Sequence, residues 1–188
     1  AGINVDSKGF IPVDEQMHTN VPHIFAIGDV IGNPMLAHKA VPEGRMAAEI
    51  IAGLSTIHPR SKHIPSVAYT DPEVAVVGLS ENEAKQQGIA YTKAVFPWLA
   101  SGRSLSLDRQ EGLTKLLFDP VSKKLLGGSI VGPHAGELIS EITLAIDVSA
   151  TAETLAHIIH PHPTLSETIM MASEIFLGTV TDLYIPSK

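Results

Sequence analysis

Ile24-Phe25-Ala26-Ile27 is a run of four apolar residues that stops at Gly28-Asp29. A run this short and continuous suits a strand buried on both faces, and such strands are usually parallel. That constrains everything around it, because a parallel sheet needs helices over both of its faces. The neighbouring sequence offers little to build one. Lys8-Gly9 separates Ile3-Val5 from Phe10-Val13 in a hairpin-like pattern. From Met35 to Leu54 the spacing turns helical: Leu36, Ala40, Ala47, Ile50 and Ile51 can share a face, and Gly53 closes the segment. Pro42 falls inside it, where a proline kinks a helix or marks a start close by. A strand pair and one helix cannot cover both faces of a sheet, and position 1 is Ala rather than an initiating Met. The expectation is that residues 1–60 are the end of a larger α/β domain and that the chain is the C-terminal part of something longer. The alternative is a processed but complete protein.

Residues 55–66, with Pro59, Pro65 and two histidines, read as a connector, and a second pattern follows over 61–188. Val67-Tyr69, Val74-Val77, Tyr91-Phe96, Leu113-Phe118 and Leu125-Val131 read as strands, with a turn at Asp119-Pro120. Ser80-Glu81-Asn82-Glu83 fits a capping box that opens a short helix ending at Gly88. Leu138, Ile142 and Ala145 share the face of a helix from about 136 to 148. A short helix follows Thr151, and a last one carries Leu165, Ile169, Ala172 and Phe176 on one side. Strands followed by packed helices make an α+β unit.

Composition excludes several functions. With 44% hydrophobic and 18% charged residues the chain is an ordinary globular protein rather than a disordered one. No run approaches the roughly 18 consecutive apolar residues of a membrane span, so no membrane association is expected. A formal charge of −7 argues against nucleic acid, whose phosphates call for clustered Lys and Arg. Cysteine is absent, which rules out disulfides, thiolate metal sites and cysteine nucleophiles within this chain. The nine histidines are the compositional oddity.

Two places could hold chemistry. At the first, Gly28 lets backbone approach a ligand closely and Asp29 can accept hydrogen bonds from sugar-type hydroxyls at the edge of a sheet. A helix starting near Met35, Leu36, Ala37 and His38 would add free N–H groups for an electron-rich atom; the plain alternative is a Gly-Asp turn without a ligand. The second is His160-Pro161-His162-Pro163-Thr164-Leu165-Ser166-Glu167. Pro163 can enter a helix start, and Thr164-x-x-Glu167 is itself a capping box. Alternatively, Glu167 folds back onto His162, fixes its tautomer, stabilises the imidazolium and leaves the other nitrogen as a general acid/base. Spacing leaves cap and dyad both open. His157, His160 and His162 also form H-x-x-H-x-H, but no second ligand cluster accompanies them, and no metal is expected.

The eleven residues from Thr19 to Asp29 resemble the second FAD-binding motif of the flavoprotein disulfide reductases, the pyridine nucleotide-disulfide oxidoreductases. Met35-Leu36-Ala37-His38-Lys39-Ala40 is similar to the segment that dihydrolipoamide dehydrogenases place under the flavin pyrimidine. His160 to Glu167 resembles the C-terminal active-site motif of that same branch, H-x-H-P-T-L-S-E. Tyr69 to Gly78 is similar to the first strand of its interface domain, and Phe96-Pro97-Trp98, Ser101-Gly102-Arg103 and Gly132 to Glu137 have similar counterparts. Glutathione reductase-like relatives carry H-P-T-S-S-E-E instead, and mercuric reductases end with a cysteine pair, so the lipoamide branch fits better.

The resemblance implies an antiparallel-sheet interface (dimerisation) domain, preceded by the end of an FAD-binding domain. It implies a parent enzyme that oxidises protein-bound dihydrolipoamide through a redox disulfide and FAD to NAD+. His162 would be the base and Glu167 its orienter. Gly28 and Asp29 would hold FAD, with Met35, Leu36, Ala37 and His38 near the isoalloxazine. The His/Glu pair would serve the disulfide of the other subunit, making the enzyme a homodimer. Further expected partners are the lipoyl domain and the basic peripheral subunit-binding domain of a 2-oxo acid dehydrogenase complex, which an acidic chain suits. The expected compartment is the cytoplasm, or the mitochondrial matrix in a eukaryote. No G-x-G-x-x-G and no Cys-x4-Cys is present; both should lie upstream of Ala1, so the chain alone is expected to be inactive and to hold FAD poorly. The alternatives are a non-catalytic homodimerisation module or a related reductase such as glutathione reductase.

Overall fold

The computed structural model describes residues 1–54 and 63–184, and the chain packs as two units, Ala1–Arg60 and Ser61–Lys188. The part of the expected connector at 55–62 lies outside the described residues.

In the first unit the apolar run does not join a parallel sheet. It turns back on the residues before it. Thr19 N–H donates to Ile24 O and Ala26 N–H to Met17 O, a short antiparallel pairing centred on a His18–Phe25 bridge. Thr19 Oγ1 also donates to Ile24 O, and Ile24 N–H to Val21 O, so Ile24 finds the partners of both its backbone groups locally. The hairpin expected over residues 3–13 is a turn without a ladder. Asp6 closes it, accepting from the N–H groups of Lys8 and Phe10 and donating its own N–H to Phe10 O. Gly28–Ile31 forms one turn of 3-10 helix where a strand end was expected. Helix α1 (Ala37–Ile51) begins two residues later than the expected Met35. It runs through Pro42, which brings no N–H to the His38 carbonyl. Gly53, at φ 70°, and the Leu54 N–H to Glu49 O bond end it as expected.

The second unit is a five-stranded antiparallel sheet in the order β1-β2-β5-β4-β3. Its strands are β1 (Ser66–Ala68), β2 (Glu73–Gly78), β3 (Thr92–Pro97), β4 (Leu113–Phe118) and β5 (Leu125–Gly132). Between β2 and β3 lies α2 (Glu81–Gln87), with both halves of the Ser80/Glu83 capping box formed and Gly88 left-handed at its end. Between β3 and β4 the chain inserts a 3-10 turn and α3 (Gly102–Ser106), neither of which shows in the sequence pattern. Helices α4 (Ala135–Asp147), α5 (Ala152–His157) and α6 (Glu167–Leu177) follow. α4 packs on β2 and β5, α6 on β3 and β4, and α5 on α6. Ala75, Phe96, Leu116 and Ile130 of the sheet are buried with Ile139, Ile142, Ile169 and Ala172 of the helices, while Val74 and Val76 on the other face of β2 are exposed. Period-2 alternation in the strands and 3.6 spacing in the helices meet in one core.

Trp98 ties this core to the start of α6. Gly132 has φ 150°, and a side chain there would collide with the indole, a Cβ standing 2.1 Å from Cζ3. Trp98 Nε1 donates to Thr114 Oγ1 at 3.0 Å; Thr114 Oγ1 meets Thr168 Oγ1 at 2.7 Å, and Thr168 Oγ1 donates to Leu165 O. Buried polar groups are tolerated when paired in this way, and the chain of bonds fixes the turn that carries Glu167. The Gly127-Gly128 pair serves packing as well: a Cβ on Gly127 would stand 2.1 Å from Leu79 O.

Candidate active site

His162 and Glu167 meet. The imidazole Nδ1 lies 2.9 Å from Glu167 Oε1, with the His162 side chain 76% exposed and that of Glu167 only 10%. A carboxylate accepts, so Nδ1 is the donor and Nε2 is left with its lone pair facing solvent. The second oxygen of Glu167 accepts the Thr164 N–H at 2.7 Å. Glu167 is therefore held by the Thr164 N–H on one oxygen while it engages the histidine with the other.

The expected Thr164/Glu167 capping box is only half formed. Thr164 Oγ1 does not accept from the helix. It donates to Pro161 O at 2.7 Å and lies 2.9 Å from Ser166 Oγ, while α6 begins at Glu167 with Ser166 as its N-cap and no side-chain cap bond. Nor does Pro163 enter the helix, which starts four residues beyond it. The hydroxyl is consumed by bracing the loop that carries His162. Cap and dyad are thus not exclusive here, since one carboxylate does half of each.

The three histidines of the H-x-x-H-x-H pattern go to separate partners. His157 Nδ1 lies 2.7 Å from Glu153 O, one helical turn back. His160, with its side chain 4% exposed, places Nε2 2.8 Å from Glu141 Oε1 on α4 and Nδ1 3.1 Å from Ile158 O. Glu141 was not visible to the sequence reading, because nothing local links two residues nineteen apart.

In the first unit, Gly28 opens the 3-10 turn at φ 74° and Asp29 follows it, exposed and with no hydrogen bond to its carboxylate among the described residues. Leu36 is the extended N-cap of α1 and makes no side-chain cap bond; Ala37 and His38 are the first helical residues, and Met35 just ahead is exposed. No acidic side chain sits in that first turn. A free carboxylate for hydroxyls and a helix N-terminus whose N-cap residue supplies no side-chain cap are a donor and acceptor set that suits the polyol and carbonyl groups of FAD. The sequence reading missed Lys39 and Glu43. Both are buried on α1, their side chains 11% and 7% exposed, with Nζ and Oε1 3.1 Å apart. Glu43 Oε2 also accepts the Gly28 N–H at 2.9 Å.

Residues 64–173 match the pyridine nucleotide-disulphide oxidoreductase dimerisation domain, and residues 1–44 match the pyridine nucleotide-disulphide oxidoreductase domain itself. The chain is 56% identical over 183 residues to the dihydrolipoyl dehydrogenase of Vibrio cholerae, covering 97% of this chain and 38% of that protein. It is 49% identical over 171 residues to the mitochondrial dihydrolipoyl dehydrogenase of Caenorhabditis elegans, covering 91% and 34%. Among solved structures it superposes on LpdA of Mycobacterium tuberculosis with a TM-score of 0.84 at 27% identity, over 92% of this chain and 38% of that one. The HOCl-induced flavoprotein disulfide reductase RclA of Escherichia coli gives 0.82 at 26%, over 90% and 39%. The chain thus spans about 38% of the length of the curated relatives it matches.

Proposed function

The chain belongs to the pyridine nucleotide-disulphide oxidoreductase family, and from that membership we propose that it supplies the dimerisation domain and part of the FAD site of a dihydrolipoyl dehydrogenase. The observation that carries this reading is the His162–Glu167 pair: a buried, doubly held carboxylate on one ring nitrogen and an exposed lone pair on the other. In the proposed reaction His162 Nε2 takes the proton of one substrate thiol. The thiolate attacks a disulfide sulfur, forming a mixed disulfide and releasing one sulfur of the enzyme pair as thiolate. The second substrate thiol gives its proton to the enzyme thiolate released in the first step and attacks the substrate sulfur of the mixed disulfide. That bond breaks, the second enzyme sulfur leaves as thiolate, and the substrate departs as a disulfide with its two electrons left on the enzyme's sulfur pair. Glu167 balances the imidazolium while the proton resides there. The chain has no cysteine, so the attacked disulfide belongs to residues outside these 188.

FAD, when bound, would relay the two electrons onward to NAD+. Asp29 would hold its ribityl hydroxyls, and the start of α1, from Met35 to His38, would face the flavin ring. We place the working enzyme in a homodimer, with lipoyl and peripheral subunit-binding domains of a 2-oxo acid dehydrogenase complex as partners; the charge of −7 suits a basic docking domain. The proposed compartment is the cytoplasm or, in a eukaryote, the mitochondrial matrix.

The test is His162→Gln in the full-length protein. Lipoamide-linked NAD+ reduction should fall about 10²–10⁴-fold, the worth of a positioned base, with flavin content and dimer retained. Unchanged turnover would reduce the motif to a helix start within a dimerisation module.

A further inference from the structure

Glu43 is a buried carboxylate with two partners, and one of them is the backbone of the turn that presents Asp29. Its Oε2 accepts the Gly28 N–H at 2.9 Å across fifteen residues of sequence, while Oε1 sits 3.1 Å from Lys39 Nζ. Gly28 is the first residue of its 3-10 turn, so its N–H has no partner within the turn. Gly28 is itself buried between the exposed Ile27 and Asp29, so its N–H needs a partner from the protein. A buried carboxylate supplies it, and such a charge is tolerated only when it is paired.

The contact is tight on either side of the carboxylate. A Cβ on Gly28 would stand 3.2 Å from Ala40 Cβ, and one on Gly44 would stand 3.1 Å from Ile27 Cδ1. Ala40, Glu43 and Gly44 share one face of α1 at i, i+3 and i+4. Small, acidic and small residues thus make a seat for Ile27-Gly28, with the carboxylate in the middle. Lys39 Nζ is buried and, among the described residues, makes no hydrogen bond beyond its ion pair with Glu43, so the ammonium stands against Glu43 as its counter-charge. The seat fixes the Gly28 peptide at φ 74°, and with it the direction in which the next residue leaves the turn.

We propose that Glu43 is a positioning residue for cofactor binding: by holding the Gly28 N–H it sets the orientation of Asp29 relative to the uncapped start of α1. This rests on the reading of Asp29 as the residue that receives the ribityl hydroxyls.

The experiment uses the full-length protein, stripped of flavin and titrated with FAD. It compares Glu43→Ala, the double variant Lys39→Met/Glu43→Gln and Asp29→Ala by flavin fluorescence and by the fine structure of the visible absorption bands. Glu43→Ala should weaken FAD binding about tenfold, the worth of one buried hydrogen bond, and blur the bands. The double variant removes both buried charges yet leaves a Gln oxygen to accept from Gly28, so its affinity should return to within about threefold of wild type. A merely structural loss would not be rescued in this way. Wild-type affinity and bands in Glu43→Ala overturn the proposal, as does a double variant no better than Glu43→Ala. Asp29→Ala separates the two readings. If it keeps wild-type affinity, the assignment of Asp29 is wrong; if it loses FAD while Glu43→Ala does not, the positioning role alone is wrong.

Discussion

His160 and His162 stand two residues apart, each within 2.9 Å of a glutamate oxygen, yet they are built for opposite purposes. His160 is buried, and both of its ring nitrogens are occupied, one by Glu141 and one by the Ile158 carbonyl. His162 is exposed and uses only Nδ1, leaving Nε2 available. The pairing chemistry is the same. What differs is which member of each pair is buried. Where the histidine is buried the pair anchors a loop, and where the carboxylate is buried the histidine is held by one end and remains exposed at the other. Pro161 between them carries the fixed position of the first into the second, and its carbonyl is braced in turn by Thr164.

The widest gap between the two should appear in turnover. In the full-length protein, His162→Gln is expected to cost the 10²–10⁴-fold typical of a lost general base, and His160→Gln no more than about tenfold, a small displacement of a positioned group. Equal losses in the two variants would erase the distinction. Stability should rank them in the reverse order. His160→Ala leaves Glu141 and a carbonyl without their partner and buries a void, and is expected to cost about 1–3 kcal/mol in urea unfolding, while His162→Ala, which leaves the Thr164 N–H on Glu167, should cost less, about 1 kcal/mol. A smaller difference is set by a helix away from both pairs. Ser80→Ala removes a complete capping box and should cost about 1 kcal/mol. That gives a local scale against which the half-formed cap at Thr164 can be measured: Thr164→Val should cost less if its hydroxyl serves the loop alone.

The least effect is expected from a carboxylate whose partners stay charged throughout the acid range. Glu81 is hydrogen-bonded by Lys115 and Lys93, and these contacts pull its pKa from 4.5 to about 2. A depressed pKa means that the folded form binds the proton less readily than the unfolded one. The stabilisation is therefore complete above about 4.5 and is lost as pH falls towards 2. Glu81→Gln should flatten the acid limb of the stability curve in that window and lower its plateau at pH 7, where the stabilisation by the ionised carboxylate is complete. An unchanged acid limb would show that the lysines do not hold Glu81 in solution.

What could be read in the sequence was whatever is settled by neighbours in the chain. The five strands, the Ser80 box, the Asp119 turn and the final helices all rest on spacings of two to four residues. The meeting of His162 and Glu167, five residues apart, was one of the two readings that their spacing left open. What was illegible depends on a choice among partners. Ile24-Ile27 has the pattern of a doubly buried strand, but periodicity does not say which neighbour completes its hydrogen bonds, and Thr19 and Val21 complete those of Ile24 locally. Thr164 had the right spacing for a cap, and a competing carbonyl took its hydroxyl. Glu43 and Glu141 lie fifteen and nineteen residues from the groups they hold, beyond the reach of any local signal. The segment from Trp98 to Ser106 is too short and irregular to show a period.

The single tryptophan of the chain is fully buried, packed on Gly132 and hydrogen-bonded to Thr114. Excited at its own wavelength, the second unit therefore announces its unfolding by the red shift of one indole leaving a dry site, while the first unit, which has no tryptophan, stays dark. Emission and far-ultraviolet dichroism followed together through a denaturant titration would resolve whether the two units melt in one cooperative step or in two. Thr114→Val would tune the emission of the indole by removing the oxygen that its N–H faces, and the same light would then count how tightly the start of α6 is held.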